Sequence, residues 1–118
     1  RLGRELSRLD TLIASLKDGL GPLWNDTMVI VATEFGRTAA INGTNGTDHG
    51  TASATLLYGG SLSGGTVLGD WPGLRQSDLY QNRDLKPTAS LENVIASSVA
   101  SHFALDPEIT RRTLYPSQ

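Results

Sequence analysis

The chain has 118 residues, a formal net charge of −2 and no cysteine. Its length suits a single domain, residues 1–118, with a core of its own. The weak negative charge argues against nucleic acid as a partner, since the sequence has no basic stripe to neutralise phosphates. No apolar run reaches the roughly 18 residues of a membrane span. Without cysteine there is no disulfide, thiolate nucleophile or cysteine-ligated zinc site, so any metal site must use His, Asp, Glu and main-chain oxygen.

The first predicted element is an amphipathic helix. Its apolar residues recur at spacings of three and four and share one face: Leu2, Leu6, Leu9, Ile13, Leu16 and Leu20. Gly19, Gly21 and Pro22 end this helix. After a turn at residues 24–26, residues 28–32 predict a strand that is apolar on both faces, as in the centre of a helix-covered parallel sheet. We expect missing chain on the N-terminal side to supply part of that sheet.

The remaining elements are a loose hairpin and two helices. Residues 54–58 and 66–68 predict the two strands of the hairpin, and residues 74–87 are irregular. Ser90 caps a helix whose predicted buried face consists of Leu91, Val94, Ile95, Val99 and Phe103. Asp106 and Pro107 predict the cap and first position of a short terminal helix.

Residues 33–50 concentrate ionisable side chains in a glycine-rich loop directly after the strand of residues 28–32. They are Glu34, Arg37, Asp48 and His49. Loops past the end of a hydrophobic strand are where open α/β sheets place their ligand chemistry. Oxygen and imidazole ligands suit a divalent metal such as zinc, or an anion held beside one. A plain solvated loop is the alternative, because its two Asn-Gly pairs are ordinary turn dipeptides.

The order of motifs resembles a bacterial family of uncharacterised proteins that is similar to the alkaline phosphatase and sulfatase superfamily. The motifs are EFGRT at 34–38, GTDHG at 46–50, the strand at 54–58, GDWPGL at 69–74 and RDL at 83–85. The resemblance implies an α/β fold, namely the C-terminal fragment of an alkaline phosphatase-like α/β/α sandwich with a mixed sheet. It also implies a periplasmic or exported protein, since many members carry a twin-arginine signal; these residues contain no signal pattern.

The resemblance assigns roles to the loop residues. Glu34, His49 and, less directly, Asp48 correspond to metal ligands, and Arg37 would hold an oxygen of a small anionic ester substrate. Phe35 stands where the superfamily has a metal-binding His, so a standard two-zinc centre is not expected. A single zinc, a calcium or magnesium site, and a site without metal all stay open.

Two functions follow. In the first, the chain is part of a metal-dependent phosphoester or sulfoester hydrolase and is inactive alone, because the nucleophile belongs to the missing N-terminal part. In the second, it belongs to a non-catalytic exported binding or scaffold protein with a degenerate hydrolase fold.

Structural roles compete with these functional ones. Glu34 would cap the loop or pair with Arg37, and Asp48 would bond the loop's own amides. His102, next to Phe103, would pack or would supply charge at the helix end. An uncovered edge of the strand at 28–32 predicts self-association.

Overall fold

The computed structural model describes residues 2–116, so Arg1 and the last two residues of the predicted 1–118 domain lie outside the described residues. The described part contains three α-helices and four short strands. In chain order they are α1 Leu2–Leu20, β1 Val29–Val31, β2 Gly36–Arg37, β3 His49–Gly50, β4 Leu56–Tyr58, α2 Leu91–Phe103 and α3 Pro107–Leu114. Two 3₁₀ turns, Gly21–Asp26 and Gln76–Asp78, connect them. This mixture of helix and strand is compatible with the expected α/β class.

The strands of residues 2–116 form two separate pairs. β1 lies beside β4, and β2 lies beside β3. The predicted hairpin of residues 54–58 with 66–68 is wrong, because β4 pairs with β1 and residues 66–68 form no strand. Val67 and Leu68 are 99% and 88% exposed, so no burial of apolar side chains stabilises a strand in that segment. The mixed sheet of the predicted sandwich stays a prediction.

The chain divides into two compact units. The first contains the described residues up to 29 together with residues 57–64, and the second contains residues 30–56 and those from 65 onward. In the first unit, α1 ends as predicted where Gly21 takes a positive φ of 53°. Gly60 lies against the following 3₁₀ turn, and its amide donates to the carbonyl of Trp24 at 3.1 Å.

The predicted apolar row of α1 is present but not buried. None of its described residues falls in the buried class. Leu2, Leu6 and Leu16 are exposed, whereas Leu9 and Ile13 are half-buried. Among residues 2–116, no helix is both long enough and apolar enough to cross a membrane.

In the second unit, α2 packs against α3. Both predicted caps are confirmed: Ser90 Oγ accepts from the amide of Asn93 at 3.4 Å, and Asp106 Oδ1 accepts from the amide of Ile109 at 2.8 Å. The predicted buried face of α2 is wrong in part. Its buried residues are Ala96 and Ala100.

The larger side chains of α2 lie elsewhere. Leu91 and Phe103 are exposed, and Val94, Ile95 and Val99 are half-buried. A short side chain at Ala96 leaves room for α3, whose Thr110 is itself buried. Close packing therefore selects the small residues of α2, not the most hydrophobic ones.

Candidate functional site

The ionisable loop of the sequence folds as a small antiparallel hairpin made of β2, residues 38–48 and β3. Gly36 lies opposite Gly50, and Arg37 lies opposite His49. A Cβ at Gly50 would lie 2.5 Å from the carbonyl carbon of Arg37, and one at Gly36 would overlap the carbonyl of Ala52. Both glycines are therefore required where backbone approaches backbone.

The tip of the hairpin is organised by Asn42. Its Oδ1 accepts from the amides of Thr44 and Gly46, each at 3.0 Å, and from the Thr44 hydroxyl at 2.8 Å. The main-chain amide of Asn42 donates to the carbonyl of Gly46 at 2.8 Å. Asn45 takes the positive φ of 59° that Asn tolerates. The Asn-Gly pairs thus form the turn that their composition predicts.

One face of the hairpin carries Phe35, Arg37 and His49; we call it the Arg37–His49 face. Residues directly opposite in an antiparallel pair project to the same side, so the guanidinium and the imidazole are neighbours. Phe35 precedes Arg37 by two residues and so shares its side. Its ring centroid lies 4.3 Å from that of His49, with the planes tilted by 40°. All three side chains are exposed, so a ligand can reach this face.

Arg37 is hydrogen-bonded to Thr47, which lies just before β3. Its Nε donates to Thr47 Oγ1 at 3.0 Å, and its Nη2 donates to the carbonyl of Thr47. The alternative ion pair with Glu34 is not formed within residues 2–116. A guanidinium has five N–H donors, so Thr47 orients Arg37 and still leaves its Nη1 edge for an anion.

Asp48 is engaged inside the loop. Its Oδ1 accepts from Nδ2 of Asn42 at 2.9 Å. Its carbonyl accepts from the amide of Thr38 at 3.0 Å, and its amide donates to Thr38 Oγ1 at 3.1 Å. The partner of the carboxylate is thus the side-chain amide of another loop residue, Asn42. These bonds fix the hairpin and leave Oδ2 as its uncommitted oxygen.

Glu34 lies on the segment between β1 and β2, is exposed, and has no hydrogen-bond or ion-pair partner within residues 2–116. In this part of the chain, no group of three or more His, Cys, Asp and Glu side chains is placed to hold a metal ion. The Glu34 carboxylate and the His49 imidazole have the donor chemistry that zinc accepts. A metal bound there would take its other ligands from water or from other residues, and the metal site stays a prediction.

Asp84 contacts Thr38 in the hairpin and Thr51 directly after it, and no sequence pattern predicts a role for it. It is only 3% exposed. Its Oδ2 accepts from Thr51 Oγ1 at 2.8 Å and from Arg83 Nη2 at 3.3 Å. Its Oδ1 lies 2.9 Å from Arg83 Nε, but no donor within the described residues is aligned with it. The Thr51 hydrogen bond lowers the pKa of Asp84 below its ordinary value; burial opposes this shift, and Arg83 adds to it.

His102 lies away from this face, in the last turn of α2. Its ring packs edge-on against Phe103, with centroids 4.7 Å apart and planes at 83°. It is half-buried. The geometry agrees with the packing role expected for this histidine, which makes His102 a suitable control for His49.

Comparison with known proteins identifies a family but not an activity. The family model described as "Protein of unknown function (DUF1501)" matches residues 1–113. No curated protein and no solved structure matches the chain. The match supports the expectation of an uncharacterised family, while the likeness to sulfatases stays a prediction. The chain belongs to the DUF1501 family of proteins of unknown function.

Proposed function

We propose that this chain supplies part of the ligand site of a metal-dependent phosphoester or sulfoester hydrolase and does not hydrolyse esters by itself. The observation that supports this proposal is the Arg37–His49 face, where an imidazole and an oriented guanidinium are exposed side by side. Imidazole is a preferred zinc ligand. The planar fork of a guanidinium matches the oxygens of a phosphoryl group and can hold those of a sulfuryl group in the same way.

In this proposal, His49 and Glu34 bind one divalent metal ion, zinc first and calcium or magnesium as alternatives. A bound ion would polarise the ester oxygen and lower the pKa of a nucleophile. Arg37 holds a non-bridging oxygen through its Nη1 edge. Asp48 stabilises the loop through its hydrogen bond with Asn42, and its Oδ2 would be a further metal ligand.

The proposal extends to the whole protein. The finer fold is an alkaline phosphatase-like sandwich, in which an N-terminal part of the same protein supplies the other strands and the nucleophile, and the protein is exported to the periplasm. Exposed leucines along α1, such as Leu2 and Leu6, support it, because a larger apolar surface would cover them. The same surface supports self-association of the isolated chain.

A second candidate is a non-catalytic binding or scaffold protein that kept the fold and lost the chemistry. Phe35 favours it. Under the proposed likeness to the superfamily, this residue would stand where a metal-binding histidine is expected, and its ring lies against the His49 imidazole. A phenyl ring offers no ligand atom and covers one face of the imidazole, which is an arrangement suited to packing.

Calorimetric titration with zinc separates the two candidates. The hydrolase proposal predicts that His49→Ala weakens zinc binding by at least about tenfold, since even outer-shell partners contribute that much to metal sites. Glu34→Gln weakens it in the same direction, and the matched control His102→Ala leaves it unchanged. Absence of zinc binding, or equal losses in His49→Ala and His102→Ala, would favour the scaffold.

Ester turnover tests the claim of inactivity. The isolated chain should not hydrolyse chromogenic phosphate or sulfate esters with zinc, calcium or magnesium added, because metal and anion ligands without an in-line activated nucleophile do not complete the reaction. Turnover that a point substitution within this chain abolishes would refute that claim.

A further inference from the structure

The Asp84 carboxylate is the only buried acidic side chain among the described residues. Burying a charge is costly unless hydrogen bonds compensate for it. One such hydrogen bond comes from an exposed residue, Thr51, whose hydroxyl donates to Oδ2 at 2.8 Å. Arg83, whose side chain is 59% exposed, adds a hydrogen bond to Oδ2 at 3.3 Å and an ion pair in which its Nε lies 2.9 Å from Oδ1. Arg83 is the sequence neighbour of Asp84, whereas Thr51 comes from a different part of the chain and ties the carboxylate to the hairpin.

Asp84 also reaches the other strand of the hairpin through the main chain. Thr38 and Asp84 form an isolated antiparallel bridge, and the amide of Ala39 donates to the carbonyl of Arg83 at 3.1 Å. Tyr80 closes the segment that carries Asp84, because the two residues exchange amide-to-carbonyl bonds of 2.9 and 3.0 Å. The segment of residues 80–84 is therefore a closed turn that is hydrogen-bonded to residues 38 and 39.

The two residues at the hairpin that contact Asp84 are close in sequence to the two main residues of the candidate site. Thr38 directly follows Arg37, and Thr51 comes two residues after His49. We infer that the buried Asp84 carboxylate, acting through the Thr51 hydroxyl, is a positioning residue that fixes the end of β3 and thereby the His49 imidazole on the Arg37–His49 face. The functional value of orienting His49 rests on the proposed function, but the orientation of its imidazole can be measured whether or not a metal binds.

The ring of Phe35 supplies the readout. Its ring current displaces the C–H resonances of the His49 imidazole, and Phe35→Leu defines their positions without that contact. Thr51→Val keeps the shape of the side chain and removes the donor, whereas Thr51→Ser keeps the donor. We expect Thr51→Val to move the His49 resonances toward their Phe35→Leu positions and Thr51→Ser to leave them near wild type. The His102 resonances are the internal control.

Asp84→Asn is the second variant. It keeps an acceptor for Thr51 but not the charge, so the His49 resonances should move in the same direction by a smaller amount. The amide spectrum of each variant reports whether the chain remains folded. Folded Thr51→Val and Asp84→Asn variants with wild-type His49 resonances would overturn the inference.

A zinc titration of the same variants separates this inference from the proposed function. If the wild-type chain binds zinc at His49, Thr51→Val should weaken binding by about tenfold, as loss of an outer-shell partner does. If the wild-type chain binds no zinc while Thr51→Val displaces the His49 resonances, the proposed function fails and the positioning role stands. If zinc binds and Thr51→Val changes neither the affinity nor the resonances, the positioning role fails alone.

Discussion

The close approach of β2 and β3 predicts a large difference between two Gly→Ala substitutions in one hairpin. At Gly50 the added Cβ would lie 2.5 Å from the Arg37 carbonyl carbon and 2.9 Å from the Thr38 nitrogen. Ordinary contact begins at 3.4 Å, so the strands would have to separate by about 1 Å. At Gly46 the nearest atom is 3.7 Å away, and the residue is not among the glycines with positive φ.

We expect Gly50→Ala to destabilise the closed hairpin by about 1–3 kcal/mol, the usual cost of overpacking. Gly46→Ala should stay within about 0.5 kcal/mol of wild type. Hydrogen exchange of the Thr38 amide, which donates to the Asp48 carbonyl, measures local opening. Exchange in Gly50→Ala should then be about 5- to 150-fold faster. Equal exchange rates in the two variants would refute the register of Gly36 with Gly50 and Arg37 with His49.

Three predictions concern the helices and the acidic side chains. Ala104→Gly should raise the urea midpoint and the free energy of unfolding by about 1 kcal/mol, because Ala104 ends α2 at φ 52° in the left-handed region; an unchanged midpoint would contradict that conformation. Asp106→Ala should cost about 0.5–2 kcal/mol through loss of the cap of α3, and Asp106→Asn should cost little. Hydrogen bonds from Thr51 to Asp84 and from Arg111 and Arg112 to Glu108 lower both pKa values in the folded chain. The unfolded chain then binds more protons at acidic pH. The contribution of these two carboxylates to the free energy of unfolding is therefore fully present above their ordinary pKa values of 3.8 and 4.5, and it is lost as the pH falls through and below them. Urea midpoints measured against pH should show this fall, and Glu108→Gln should make it shallower.

Local signals in the sequence predicted the helices well. The period of α1, the stop at Gly21 and the caps at Ser90 and Asp106 depend on residues within a few positions of each other, and the structure confirms them. The buried face of α2 was predicted less well. Hydrophobicity favoured Leu91 and the other large residues, whereas contact with α3 selected the alanines.

Non-local pairing was harder to predict. Residues 54–58 have Gly-rich neighbours that suggest a hairpin with 66–68, but β4 pairs with β1, some 25 residues earlier. The sequence favours one loop for Arg37 and His49, but the structure places them in β2 and β3. Their cross-strand pairing depends on the register of these two strands, which no local pattern reveals. Asp84 lay in a recognised motif, but no local pattern shows that its carboxylate is buried beside Thr51.

The most direct test of the central claim is a zinc-soaked crystal measured with X-rays at the zinc absorption edge. The proposed site predicts an anomalous peak about 2.0–2.1 Å from a ring nitrogen of His49, with the Glu34 carboxylate turned toward it. A peak at His102 alone, or no peak at His49 with its imidazole still packed on Phe35, would contradict the claim that the Arg37–His49 face is a metal and anion site.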